Sequence, residues 1–184
     1  MKHSSLLLFG EESERLSYRK VDDTYFPEWL KFCSDEDSLR YIGIPEGHSP
    51  QEKCQIWFDR VYNRYENNLG GMNALVTKQS NQFVGQCGLL VQTVDEIQEL
   101  EIGYSLMPNH RNQGYAIEAA KKCRDFAFEN NLAESLISTI HVDNVSSAKV
   151  AVNNGMKLEK KTLFKGLPVN IYRISKSDWN RLSK

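Results

Sequence analysis

The hydrophobic pattern changes character at Gly70-Gly71, and no other feature narrows the fold so far. Upstream, Ser49-Pro50-Gln51-Glu52 is a capping box with proline at the first helical position. Cys54, Trp57, Phe58, Val61, Tyr62 and Tyr65 then fall on one helical face, which predicts a helix to about Asn68. Downstream, residues 73–77, 83–91 and 100–106 are rich in Val, Leu, Ile and Tyr, with turn chemistry at Ser80-Asn81 and Val94-Asp95. That pattern predicts an antiparallel meander. A helix feeding such a meander points to a mixed α+β architecture.

The flanking segments extend the same alternation. A strand is predicted at 15–20 and a helix at 25–33, with Pro27 in its first turn, where a missing N–H matters little. After the meander, Pro108 ends the third strand. Ala116, Ala120, Cys123 and Ala127 then define a helix from about Gly114 to Asn130. A strand at 135–141, a short helix at 145–153 stopped by Gly155, strands at 158–164 and 169–175 around Lys165-Gly166-Leu167-Pro168, and a tail helix at 177–182 complete the pattern. The expectation is a single domain over 1–184, with a mostly antiparallel central sheet flanked by helices.

Composition excludes several classes of function. The 184 residues carry a formal net charge of −1, with basic and acidic residues interspersed, so a nucleic-acid partner is not expected. Cys33, Cys54, Cys87 and Cys123 form no CxxC pair, and the apolar run Leu6-Leu7-Leu8-Phe9 is too short for a signal sequence. No window reaches the length of a membrane span. His3, His48, His110 and His141 have no metal-ligand spacing, so no metal is expected. A reduced, soluble, cytoplasmic protein is the expectation, as monomer or homodimer.

The segment from Leu106 to Ala116 carries most of the functional signal. It joins a strand to a helix, and the first turn of a helix offers unpaired N–H groups and partial positive charge to an anion. Gly114 and Ala116 let a phosphate approach the backbone closely, and Asn112 tolerates a left-handed turn. Arg111 adds a charged donor, and Gln113 and Tyr115 complete the turn. The cofactor-binding candidates in this segment are Arg111, Asn112, Gln113, Gly114, Tyr115 and Ala116, with Gln113 and Tyr115 included as members of the turn.

Arg111-x-x-Gly114-x-Ala116 also fits the Q/R-x-x-G-x-G/A signature of the GNAT acetyltransferases. Glu101-Ile102-Gly103-Tyr104, Pro108 and Arg111 through Ala119 closely resemble the RimJ/RimL branch of that family. The resemblance continues through Asn144-Val145-Ser146-Ser147-Ala148-Lys149-Val150 and Asn154-Gly155-Met156 to Tyr172, Ile174, Asp178 and Trp179. It begins at Arg15 to Trp29. Two departures are Asn112, where the family has glycine, and Met156, where phenylalanine is usual.

The resemblance implies the GNAT fold, acetyl-CoA as cosubstrate, and direct attack of an amine on the thioester. It aligns Glu101 with the family's strand glutamate, which makes Glu101 the candidate general base and Glu99 its substitute. It also implies an oxyanion-binding N–H around Leu106 or Met107, a pantetheine contact from Asn144, and Ser147 as the hydroxyl nearest the leaving thiolate. Ala151 stands where many relatives carry a tyrosine. That difference leaves open a non-catalytic acyl-CoA sensor. The acceptor, a protein N-terminus or a small amine, is expected to meet residues between Phe26 and Asn68 and the 165–168 turn. The acids Asp35, Glu36, Asp37 and Glu46 offer themselves to a cationic amine.

Overall fold

A computed structural model describes residues 6–182, so His3 lies outside the described residues. The chain runs β1 (Leu16–Lys20), α1 (Phe26–Cys33), α2 (Glu36–Leu39), α3 (Pro50–Glu66), β2 (Gly70–Thr77), β3 (Phe83–Val94), β4 (Ile97–Leu106), α4 (Tyr115–Glu129), β5 (Ser135–His141), α5 (Val145–Asn153), β6 (Lys157–Phe164), β7 (Leu167–Ser175) and α6 (Lys176–Leu182). Short 3-10 turns at Asp23–Tyr25 and Pro108–His110 lead into α1 and follow β4.

The strands form one seven-stranded sheet in the order β1-β2-β3-β4-β5-β7-β6. Every neighbouring pair is antiparallel except β4 and β5, which are parallel and share a single register pair, Glu101↔Ile137. Beyond that pair the two strands diverge and leave a wedge-shaped opening. The closed end is clamped from β7: Arg173 Nη2 and Nη1 reach the Glu99 carboxylate at 2.6 and 3.1 Å, and Nη1 also donates to Ser135 Oγ at 2.8 Å. Such a two-pronged contact fixes geometry as well as charge.

Helices cover both faces. On one, Trp29 and Phe32 of α1 stack at 4.1 Å between centroids and pack with Cys54, Phe58 and Val61 of α3 over Met72, Ala74 and Leu90. On the other, Ala119, Ala120, Cys123, Ala127 and Phe128 of α4 lie over Leu89, Leu100, Ile102 and Leu106. The small side chains along α4 let its axis come close to the sheet, and all four cysteines stay unpaired and buried.

The observed elements depart from expectation where side-chain pattern is a poor guide. β3 and β4 extend past residues 91 and 100 to close on Asp95-Glu96, both with positive φ. Gln92, Thr93, Gln98 and Glu99 form a ribbon that leaves the core, so the apolar signal fades before the backbone pairing ends. Gly70-Gly71 does end α3, yet it also begins β2. A Cβ on Gly70 would overlap the Leu89 carbonyl oxygen, so glycine permits close pairing of the strands. The turn after β6 is two residues, Lys165 and Gly166, both at positive φ, rather than four. The four-residue α2 was not expected. Asp35 caps it by accepting from Ser38 N.

Candidate active site

The wedge between β4 and β5 opens into a cavity of about 1000 Å³ reached by α2, α3, α4, α5 and the β6–β7 turn. At its base sits Glu101. Strand alternation turns Leu100, Ile102 and Leu106 into the core beneath α4, while Glu101 faces α3. Glu101 is buried and not a solvated strand-face acid. Its Oε2 accepts from Gln92 Nε2 at 2.8 Å and its Oε1 from Thr139 N at 3.0 Å. Burial raises its carboxyl above the ordinary range, against the opposing pull of those hydrogen bonds and of the Arg64 charge.

Arg64 fixes how Gln92 is oriented. Its Nη2 donates to Gln92 Oε1 at 3.0 Å while Nη1 donates to the carbonyls of Leu69 and Val91 at 3.0 and 3.1 Å. A guanidinium has no acceptor, so the Gln92 amide must present its oxygen to Arg64 and its NH2 to Glu101. Neither residue was singled out from the sequence. Gln92 directly follows the apolar run that ends at Val91, a faint signal, and Arg64 lies within the span of the apolar stripe, one helical turn after Val61.

At the other lip of the cavity, α4 begins at Gly114, with φ +83°, after Asn112 at φ +58°. Ser49 caps α3 and Asn144 caps α5, whereas α4 has no side-chain cap, so its first-turn N–H groups are left for a ligand. Asn112, Gly114, Tyr115 and Ala116 line the cavity there. Gln113 does not. Its Nε2 donates to Asn109 O at 2.9 Å and its carbonyl accepts from Arg15 Nη1 at 2.9 Å. Arg15, just ahead of β1, also pairs with Glu118 at 2.6 Å and lies 4.4 Å over the Tyr115 ring, bracing the start of α4. Arg111 lines the cavity, but its guanidinium turns towards α2. It donates to Ser38 Oγ, to Leu106 O at 3.2 Å, and approaches Asp35 at 3.9 Å.

The two oxyanion-donor candidates are not equivalent. Met107 N already donates to Val84 O at 3.0 Å. Antiparallel alternation therefore directs the preceding amide, that of Leu106, to the opposite edge of β4, towards the opening. Asn144 Oδ1 accepts from Ser147 N at 3.1 Å as the α5 cap, which leaves its amide NH2 for other partners. Ser147 lines the cavity, and its carbonyl receives the Tyr104 hydroxyl at 2.7 Å. His141 stacks on Tyr41 at 5.0 Å, and its Nδ1 accepts from Asp143 N at 3.2 Å. His110 lies 6.4 Å from the Tyr115 ring.

Two of the four acids expected to greet a cationic amine have other partners. Asp35 caps α2 and Asp37 pairs with Arg40 at 2.8 Å. Glu99, the substitute base, is held in the Arg173 clamp. No group of three or more His, Cys, Asp or Glu suited to a metal ion occurs among the described residues, and no described helix is long and apolar enough to cross a membrane.

Known proteins place this geometry in context. A family model described as an acetyltransferase (GNAT) domain matches residues 15–157. The Bacillus subtilis protein YkkB, uncharacterized, is 33% identical over 95 residues, which are 52% of this chain and 55% of YkkB. The match thus spans about half of that relative. YnaD of B. subtilis, an uncharacterized N-acetyltransferase, is 25% identical over 177 residues, covering 91% of this chain and 98% of YnaD. Among solved structures, an acetyltransferase from Agrobacterium tumefaciens superposes with a TM-score of 0.76 at 23% identity, covering 95% of this chain and 98% of the other. The ribosomal alpha-N-protein acetyltransferase RimL, in complex with coenzyme A, superposes at 0.72 and 18% identity, covering 90% and 97%. At those identities the likeness is one of fold.

Proposed function

This chain belongs to the GNAT acetyltransferase family, and from that premise we propose that it transfers the acetyl group of acetyl-CoA to a primary amine within a ternary complex. The acceptor is a protein N-terminus or a small-molecule amine. One observation carries the proposal: a buried carboxylate lies in the same cavity as the uncapped start of α4, at the point where β4 and β5 part.

The residues present fit acetyl-CoA. Gly114 gives α4 its left-handed start at the lip of the cavity, and the amides of Asn112 through Ala116 would receive the pyrophosphate. Asn144 has donors to spare for the pantetheine arm. When bound, acetyl-CoA supplies the activated acyl carbon. Glu101, its carboxyl raised by burial, takes the proton from the attacking amine, directly or through one water. Leu106 N–H meets the negative charge that develops on the acyl oxygen. The amine nitrogen forms the new bond to carbon, the carbon–sulfur bond breaks, and Ser147 Oγ hydrogen-bonds the departing thiolate.

A thiol-release assay with acetyl-CoA across amines and N-terminal peptides tests this directly. Release dependent on one acceptor class is the expected result. Tight acetyl-CoA binding with no release by any acceptor would instead favour an acyl-CoA sensor, and absence of binding would overturn both.

A further inference from the structure

The cavity is more basic than the chain that builds it. The whole molecule has a formal net charge of −1. Yet Arg60, Arg64, Arg111, Lys149 and Lys165 line this one cavity against only two carboxylates, Asp37 and Glu101. Both carboxylates are already engaged, Asp37 by Arg40 and Glu101 by Gln92 and Thr139. Three of the cations gather on the Glu101 side, away from the start of α4. Arg60 and Arg64 stand one turn apart on α3, and Lys165 faces them from the β6–β7 turn. None of the three has a carboxylate within 4.0 Å among the described residues.

Among the described residues, the hydrogen bonds of Arg60 and Arg64 go to neutral acceptors. Arg60 Nη2 donates to Gly43 O at 3.1 Å, and Arg64 to two carbonyls and the Gln92 amide. Lys165 Nζ lies 5.0 Å over the Phe164 ring. Burial holds Lys165 below the ordinary lysine range, and repulsion from Arg64 and Arg60 adds to it. Glu101 is the one carboxylate that offsets them, acting on both Arg64 and Lys165, and three cations around one buried carboxylate leave a concave site with excess positive charge, which favours a ligand that supplies an anion. Guanidinium forks match carboxylate and phosphate geometry.

We infer that the acceptor is an amine that also carries an oxyanion, a carboxylate or a phosphonate, held by Arg60, Arg64 and Lys165 while its nitrogen meets Glu101. The amine half of this claim rests on the proposed transferase function. The anion half rests on the charge distribution alone. Polycationic amines are the class this cavity rejects.

Matched acceptors separate the two halves. Phenylalanine against phenethylamine, β-alanine against propylamine, and 2-aminoethylphosphonate against ethylamine differ by the oxyanion, and spermidine serves as polycation. The expected result is thiol release favouring the anionic member of at least one pair by about tenfold or more in kcat/KM. In Arg60→Gln/Lys165→Asn that preference falls towards unity through KM. Asparagine tolerates the left-handed φ of position 165, and unchanged coenzyme A affinity at α4 reports an intact fold. If the partners lacking the oxyanion, or spermidine, are turned over as well or better, the anion site is wrong and the transferase stands. Calorimetric titration of each pair into the coenzyme A complex needs no turnover. Preferential anion binding without thiol release would uphold the anion site and sink the transferase, and equal or undetectable binding throughout would overturn the anion site.

Discussion

Gln92→Leu isolates the link between Arg64 and the proposed base. Leucine has nearly the volume of glutamine but removes the 2.8 Å donor to Glu101 Oε2 and the 3.0 Å acceptor of Arg64. Thr139 N still holds Glu101 Oε1, and the Leu69 and Val91 carbonyls still hold Arg64, so both side chains keep their positions. A hydrogen bond to a charged group contributes about 1.5–3 kcal/mol. The Gln92 bond favours the ionised carboxylate, so its loss moves Glu101 further in the direction burial already pushes it. At about 1.4 kcal/mol per tenfold, kcat/KM on the acidic limb should fall roughly 10- to 100-fold. On the alkaline plateau, where Glu101 is ionised in both proteins, the rates should agree within a few-fold. The assay is a thiol-release pH profile of wild type and variant with one acceptor. An acidic limb that stays in place would falsify the assignment of that limb to Glu101.

Glu101→Gln should lower kcat about 10²- to 10⁴-fold and abolish the acidic limb, because an amide cannot take the proton. A full rate with an unchanged profile removes Glu101 from its role. Gly114→Trp should abolish coenzyme A binding in a titration. Its φ of +83° adds a backbone strain of about 1–2 kcal/mol, and a folded variant with wild-type affinity contradicts the pyrophosphate site. Trp29→Ala should cost about 3–5 kcal/mol in denaturant unfolding, since the fully buried indole stacks on Phe32, and a loss below 1 kcal/mol would mean the α1–α3 face is loosely packed.

Backbone logic was legible and long-range side-chain meetings were not. The Ser49–Glu52 capping box, the α4 apolar stripe and the Asn112–Gly114 turn stand as expected, because each is local chemistry acting within a few residues. The Arg64–Gln92–Glu101 chain joins a helix to two strands, its first two members 28 residues apart in sequence. Nothing local marks it. Arg111 was expected at the phosphate turn from its place in the motif, but Ser38 and Asp35 draw its guanidinium aside, and those partners come from a helix too short to show in the pattern. The acids near Asp35 show the same limit: charge read along the sequence does not reveal that Asp35 caps α2 or that Asp37 pairs with Arg40. The cations that crowd the cavity were equally silent, since Arg60 and Lys165 meet only through the fold.

The single pair between β4 and β5 makes the sheet a four-stranded and a three-stranded ribbon joined at a seam. Past Glu101 the alternate amides of β4 that point towards β5, those of Tyr104 and Leu106, lack a strand partner, so they should exchange with solvent faster than the amides directed to β3. A ligand lodged in the seam takes the place of the missing rungs and ties the ribbons together. Such binding adds about 2.7 kcal/mol to stability at a hundredfold excess over Kd. The protein's persistence in the cell would then follow the supply of the molecule it consumes.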